Sequence, residues 1–312
     1  MTVFRDEPLL AIVAFLEHQL AAGATSLAIR VVDPDHGRGC YPGERVEIEG
    51  VAYVHRGFRV WVDLAERLGL RLLAPRLVDR PLIELRFERL APRRAPASEN
   101  PTERYGAGSE LGRASKLEEP GFVLDFADAL ARAQLPPRPR ILELGVNTGD
   151  AFALLCALVP ALRTEATFVG IDHSASALAV AAIRLPGDNI QLLRADLADL
   201  AALALPRFDL VLSIATLQSP GIDDREVLRR IVQDHLAPTG AVILGIPNCR
   251  YLDGELAYGA RMKNFRQPEL GLIVKDVAFY RKYLQQHHRQ VFVTGKNYLL
   301  VTGVAGSDPA GS

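Results

Sequence analysis

Arg140-Ile141-Leu142-Glu143-Leu144-Gly145-Val146-Asn147-Thr148-Gly149-Asp150 leads directly into Ala151-Phe152-Ala153-Leu154-Leu155. Apolar residues run into an acid, two glycines stand four apart, and a helical pattern begins. That order spells a buried strand, a tight turn and a helix N-terminus, a construction that lets backbone approach a nucleotide-like ligand. A second strand, Thr167-Phe168-Val169-Gly170-Ile171, ends in Asp172. An acid in that place is set to accept hydrogen bonds from ribose hydroxyls. Together these elements define an α/β domain that holds a nucleoside-bearing cofactor.

A dinucleotide requires G-x-G-x-x-G, because its pyrophosphate sits on the helix dipole and the third glycine lets helix and strand pack closely. Here the spacing is G-x-x-x-G, with Glu143 two residues ahead. A carboxylate there repels a pyrophosphate and suits a ligand carrying an ammonium group and a sulfonium. No Gly-Lys-Ser/Thr follows, which excludes a P-loop. At these residues the chain resembles the class I S-adenosylmethionine-dependent methyltransferases, whose first motif is (D/E)-x-G-x-G-x-G. Residues 143–149 match it except at the middle glycine, where Asn147 stands. Asn tolerates left-handed backbone angles better than most residues.

The resemblance covers roughly residues 105–304. It implies an α/β fold, a Rossmann-like seven-stranded methyltransferase sheet, with S-adenosyl-L-methionine as cofactor. The pattern of the chain agrees with a βα alternation. Strands are expected at 140–144, 167–171, 190–193, 208–213 and 241–246, with helices at 150–159, 174–185 and 223–236. A helix at 274–286 then precedes a hairpin of strands, 290–293 and 298–302. Ahead of this domain, residues 1–92 read as a small N-terminal α+β domain. Its elements are a helix at 8–20, strands at 26–32, 45–54 and 82–87, and a helix at 60–68. Residues 93–104 are Pro- and Arg-rich and read as a linker, and 305–312 as a disordered tail.

At 312 residues, with 49% hydrophobic and 23% charged side chains, the chain has the composition of a globular protein. A net charge of -1 gives no global attraction to nucleic acid or membrane. Three scattered cysteines, Cys40, Cys156 and Cys249, argue for reduced thiols in a cytoplasmic setting. The N-terminus is acidic where a signal peptide is basic and then apolar. No metal site is expected, since His36 and Cys40 have no second ligand pair at matching spacing.

Ligands of open α/β sheets bind beyond the carboxyl ends of the strands. The cofactor residues expected on that rule, with the resemblance, are Glu143, Gly145, Val146, Asn147 and Gly149 for the amino-acid end and Asp172 for the ribose. His173, Asp196 and Leu197 are placed for the adenine, and Ser213 stands where cofactor and substrate meet. An N-cap of the following helix is an equally good reading of Asp196. Ahead of the first strand, Gly106, Ser109 and Arg113 occupy the place where relatives fold a lid over the methionine end.

Methyl transfer from a sulfonium needs alignment more than a catalytic signature. The acceptor side is expected at Pro247-Asn248-Cys249-Arg250-Tyr251, where the Asn248 amide reads a planar heterocycle and Tyr251 stacks on it. A Pro-Asn at this strand end is similar to that of guanine-N7 cap methyltransferases. Residues 250–296 interleave basic and aromatic side chains, which with the arginines of the N-terminal domain suits RNA. An RNA base is therefore the preferred acceptor, with a small metabolite as the alternative. A methyltransferase-like binding module without activity is the alternative of another class.

Overall fold

The computed structural model describes residues 1–91, 101–103, 105–109, 111–259 and 270–306. Most of the expected linker and tail lies outside these residues. The chain divides into two compact units, Met1–Arg93 with Tyr251–Ala257, and Arg94–Arg250 with Tyr258–Ser312. The sequence reading had no element at 251–257 and no reason to join that stretch to the N-terminal unit.

The first unit contains β1 (Thr2–Val3), α1 (Leu9–Ala21), β2 (Ser26–Val32), β3 (Arg45–Ile48), β4 (Val51–Val54), α2 (Phe58–Leu68), β5 (Leu70–Leu72), β6 (Arg76–Leu77) and β7 (Leu82–Arg89). Strands run in the order β1-β2-β7-β5, with β6 also on β7. Strict alternation in β2 and β7 puts Leu27, Ile29, Leu85 and Phe87 on one face, packed against Ile12, Leu16 and Trp61 of the helices. The stretch 45–54, in which Gly50 reads as a turn or bulge, folds as a hairpin, with Glu49 and Gly50 at φ of 52° and 76°. Two successive positive angles make the tight turn that two-residue hairpins favour. Within this unit Arg71 donates to the Asp253 carbonyl and, at 2.7 Å, to the Glu255 carboxylate.

The second unit is the α/β domain. In chain order it contains α3 (Pro120–Ala133), β8 (Arg140–Leu144), α4 (Asp150–Leu158), α5 (Leu162–Glu165), β9 (Thr167–Asp172), α6 (Ala175–Arg184), β10 (Ile190–Arg194), β11 (Phe208–Ile214), α7 (Asp224–Arg230) and β12 (Leu236–Pro247). β13 (Cys249–Leu252) and β14 (Glu255–Tyr258) form a two-stranded hairpin whose residues 251–257 group with the first unit, and α8 (Leu270–Gln286), β15 (Arg289–Thr294) and β16 (Tyr298–Ala305) complete the domain. Seven strands form one sheet in the order β10-β9-β8-β11-β12-β16-β15. The first five are parallel, and β16 runs antiparallel to both β12 and β15. This is the Rossmann-like methyltransferase order.

Both faces of the sheet are covered, which explains the near-continuous apolar strands. On one face Leu142, Leu144, Val211, Leu244 and Val301 meet Leu228, Tyr280 and Leu284. On the other, Phe152 packs on Phe168 with ring centroids 4.9 Å apart, and Phe122 of α3 packs on Tyr298 at 5.1 Å. The expected helix at 223–236 is shorter, because the chain loosens into a wide turn, Ile231–His235, before β12 begins at Leu236. Arg289 holds that early start in place by donating to the carbonyls of Ala237 and Gly240 from a buried position.

The fully buried Tyr280 hydroxyl donates to Asp224 at 2.8 Å and accepts from Gln218 at 3.3 Å. Tyr280→Phe leaves those groups short of a partner. It is expected to lower stability by about 1–3 kcal/mol in urea denaturation. A loss too small to resolve shows that the chain of bonds adds nothing.

Candidate functional site

Strand order reverses beside β8. From β8 the chain moves outward through β9 and β10, then returns to lay β11 on the other side of β8. The carboxyl ends of β8 and β11 therefore diverge into a crevice, the place where open α/β sheets hold ligands. The glycine turn lines it. Gly145, Asn147 and Gly149 have φ of 76°, 47° and 84°. Backbone N–H groups of Gly145 and Val146 both donate to the Ile171 carbonyl, at 2.8 and 3.0 Å, which pins the turn to the end of β9. A Cβ on Gly145 would strike Thr216 after β11, and one on Gly149 would strike Leu185 at the end of α6. Packing of the turn, as much as approach of a ligand, requires these glycines.

Asn147 replaces the motif's middle glycine for a visible reason. Its side chain donates to the Tyr105 carbonyl at 2.8 Å and accepts from the Thr148 N–H at 2.8 Å. Its own N–H donates to Asp172 at 2.9 Å. Asp172 also accepts from Ser174 N–H at 2.9 Å. Each carboxylate oxygen has two lone pairs, so Asp172 keeps capacity for ribose hydroxyls.

Glu143 is 3% exposed, and its Oε2 has no hydrogen-bond partner. Burial pushes its carboxyl well above the usual range; Lys116 opposes that shift, and Asp150 and Asp172 add to it. A buried carboxylate oxygen without a donor is costly unless a cation or donor arrives. The cationic end of S-adenosylmethionine fits that requirement, and the structure places Glu143 with the turn that would hold its amino-acid moiety.

Other expected residues fall differently. Asp196 is exposed and caps the following turn, accepting from Ala198 N–H at 2.9 Å, while Leu197 is buried behind it. His173 is half-buried, and its carbonyl accepts from Arg194. Ser213 is buried without a partner for its hydroxyl, and alternation along β11 puts it on the face opposite Glu143, with Leu142 and Leu244. Arg113 is exposed.

Asn248 is buried and knitted to the turn before β16. Its N–H donates to the Asn297 carbonyl at 2.7 Å and its amide to the Lys296 carbonyl at 3.0 Å, which leaves Oδ1 unpartnered. Tyr251 groups with the N-terminal unit, so the expected pair divides between the units. Burial, with Glu119 adding, pushes the neighbouring Cys249 thiol up to about 12. None of the three cysteines forms a disulfide.

Part of the basic and aromatic segment at 250–296 serves the architecture, while Lys275, Arg281, Lys282 and Lys296 are exposed. Arg289 is buried, Arg250 donates to the carbonyls of Tyr258 and Gly259, and Tyr280 is core. Residues 260–269, with Arg261, Lys263, Phe265 and Arg266, lie outside the described residues. Sequence reasoning missed Glu103, Tyr105 and Ser176, which belong to no motif and come to the cofactor turns only when the loops fold.

Comparison with known proteins agrees with the sheet. Residues 142–242 match the family described as a methyltransferase domain. Trans-aconitate 2-methyltransferase of Methylobacterium nodulans is 33% identical over 145 residues, 44% of this chain and 52% of that protein. The enzyme of the same name from an Acidovorax species is 31% identical over 121 residues, 39% of this chain and 43% of that protein. The chain thus spans about half the length of the curated relatives it matches. Among solved structures, precorrin-6y C5,15-methyltransferase from Geobacter metallireducens aligns at 15% identity and a TM-score of 0.40, over 58% of this chain and 87% of that one. A TehB-like S-adenosylmethionine-dependent methyltransferase from Corynebacterium glutamicum aligns at 16% and 0.39, over 58% and 86%. Strand order and motif place residues 142–242 in a Rossmann-like methyltransferase domain. In motif and strand order this domain resembles the class I S-adenosylmethionine-dependent methyltransferases.

Two outcomes follow from this geometry. Because burial raises the folded Glu143 carboxyl, its contribution to the stability of the cofactor-free protein is fully present below the ordinary value of 4.5 and is lost as pH rises through the raised value. Glu143→Gln, which cannot ionise, should flatten the fall in melting temperature above pH 4.5; an unchanged pH profile overturns this. Asn147→Ala should destabilise by roughly 1–2 kcal/mol more than Asn147→Gly, because only glycine takes the left-handed angle freely. Equal melting temperatures for the two variants would contradict it.

Proposed function

We propose that this chain binds S-adenosylmethionine beyond the carboxyl ends of β8 and β9 and transfers its methyl group to a small organic acid. The observation that carries the cofactor reading is the buried, unpartnered Glu143 oxygen at the crevice where strand order reverses. Residues 145–149 would hold the amino-acid end and Asp172 the ribose. When bound, the cofactor supplies an electrophilic methyl group on a sulfonium.

The acceptor reading is supported by the relatives named for trans-aconitate, a tricarboxylic acid. The RNA-base expectation draws no support from the comparisons. A carboxylate is ionised at neutral pH, so its oxygen attacks without a general base. That suits a site whose Cys249 thiol is raised by burial and stays protonated. What remains for the protein is positioning. Asn248 would orient the acceptor through Oδ1, taking a hydrogen bond from a hydroxyl or protonated carboxyl. Lys116 and Lys296 would offset the charge of the other carboxylates.

Calorimetry with S-adenosylmethionine and S-adenosylhomocysteine tests the cofactor. Binding in the micromolar range is expected, and no binding at millimolar ligand ends the enzyme reading. Mass spectrometry of a panel of mono-, di- and tricarboxylic acids incubated with enzyme and cofactor tests the acceptor. Methyl esters are expected; methylation of an RNA oligonucleotide with none of the acids modified would replace this reading.

A further inference from the structure

Glu103 lies upstream of every motif residue, in the short turn Pro101–Glu103. Its carboxylate closes the N-terminus of α6. Oε1 accepts from Ala175 N–H at 2.9 Å and Ser176 N–H at 3.4 Å. Oε2 accepts from the Ser174 hydroxyl at 2.8 Å and from the Ser176 hydroxyl. Those two hydroxyls, Ser176 first, hold its carboxyl below the usual range, so it stays charged on the positive end of the helix.

The same turn carries Asp172. Ser174 donates its N–H to Asp172 and its hydroxyl to Glu103, so one residue links the two carboxylates. Residues just past Glu103 are tied to both cofactor turns. The Tyr105 carbonyl accepts from the Asn147 amide, and Ala107 N–H donates to the Ser176 hydroxyl at 3.1 Å. Gly106 sits so close beneath that any Cβ would strike the Glu103 carboxylate and the Ser176 hydroxyl.

We infer that Glu103 is a positioning residue for the cofactor, fixing the turn at 172–176 so that Asp172 meets the ribose in a single orientation. This rests on the S-adenosylmethionine reading above. Charge-assisted bonds to a carboxylate are the strong ones, and four converge here on one side chain. Without them the turn must be ordered by the ligand at each binding event, which weakens binding and speeds release. Glu103 touches no reacting atom, so the chemical step at saturating cofactor is left intact.

The test uses the full chain with Glu103→Ala and Ser176→Ala. For Glu103→Ala, S-adenosylhomocysteine should bind about ten-fold more weakly, mostly through faster dissociation. For Ser176→Ala, which leaves Ser174 on Glu103, a loss of about three-fold is expected. The KM for S-adenosylmethionine should rise in parallel while kcat stays within about two-fold. 5′-Methylthioadenosine, which keeps the ribose and lacks the amino-acid end, should lose affinity by the same factor. Unchanged affinities in both variants overturn the inference, as does a loss confined to S-adenosylhomocysteine. If Glu103→Ala does not fold, Ser176→Ala decides alone. A wild-type chain that binds none of these ligands overturns the functional reading itself, a result distinct from a wild type that binds and variants that bind equally well.

Discussion

Everything in the larger unit depends on one topological constraint, the reversal of strand order beside β8. Parallel strands need crossovers, and crossovers in opposite directions from a central strand leave a gap that no backbone fills. At that gap the sheet presents Glu143, the glycine turn and Thr216 together. The apolar strands are buried on both faces, so their ends are the only places where polar groups can gather cheaply. The chemistry is at the ends because the middle must be dry.

Glu143 shows how that constraint turns into specificity. It projects from the middle of a run of buried apolar residues, where a carboxylate is poorly tolerated. Asp150 and Asp172 on neighbouring elements make the tolerance worse, and Lys116 relieves only part of it. An anionic ligand worsens such a site, and a neutral donor offers it only a hydrogen bond. A cationic ligand gives the carboxylate the partner that the protein withholds, and the local excess of negative charge then becomes an attraction.

The fold was largely legible in the chain because each signal was local. Apolar runs tipped by a glycine or an acid announced β8 and β9, and the hairpin of β15 and β16 followed from its turn. For the candidate site, a motif singles out Glu143, the turn and Asp172, which the fold brings to one crevice. Asp196 illustrates the limit, since an acid after a strand serves as a cap or a ligand with the same spelling. Ser213 illustrates another, because a residue near a strand end reaches either face depending on register. The β13–β14 hairpin, and the grouping of Tyr251 with the first unit, were missed because nothing in a long connection says which body its tip joins. At 250–296 composition does not distinguish a guanidinium in solvent, like Arg281, from one, like Arg289, bonded to buried carbonyls.

Residues 251–257 belong with the N-terminal unit although the chain makes them after most of the α/β domain. The partners of Asp253 and Glu255, Arg71 and the backbone of Ala91, emerge from the ribosome far earlier. During synthesis those donors therefore wait, on the order of ten seconds at ordinary elongation rates, before their acceptors exist. The usual order, in which a leading domain finishes before the next begins, is not open to this chain. Its first unit completes itself only after the second is mostly built, so the birth of the protein is sequential in the chain but interleaved in the fold.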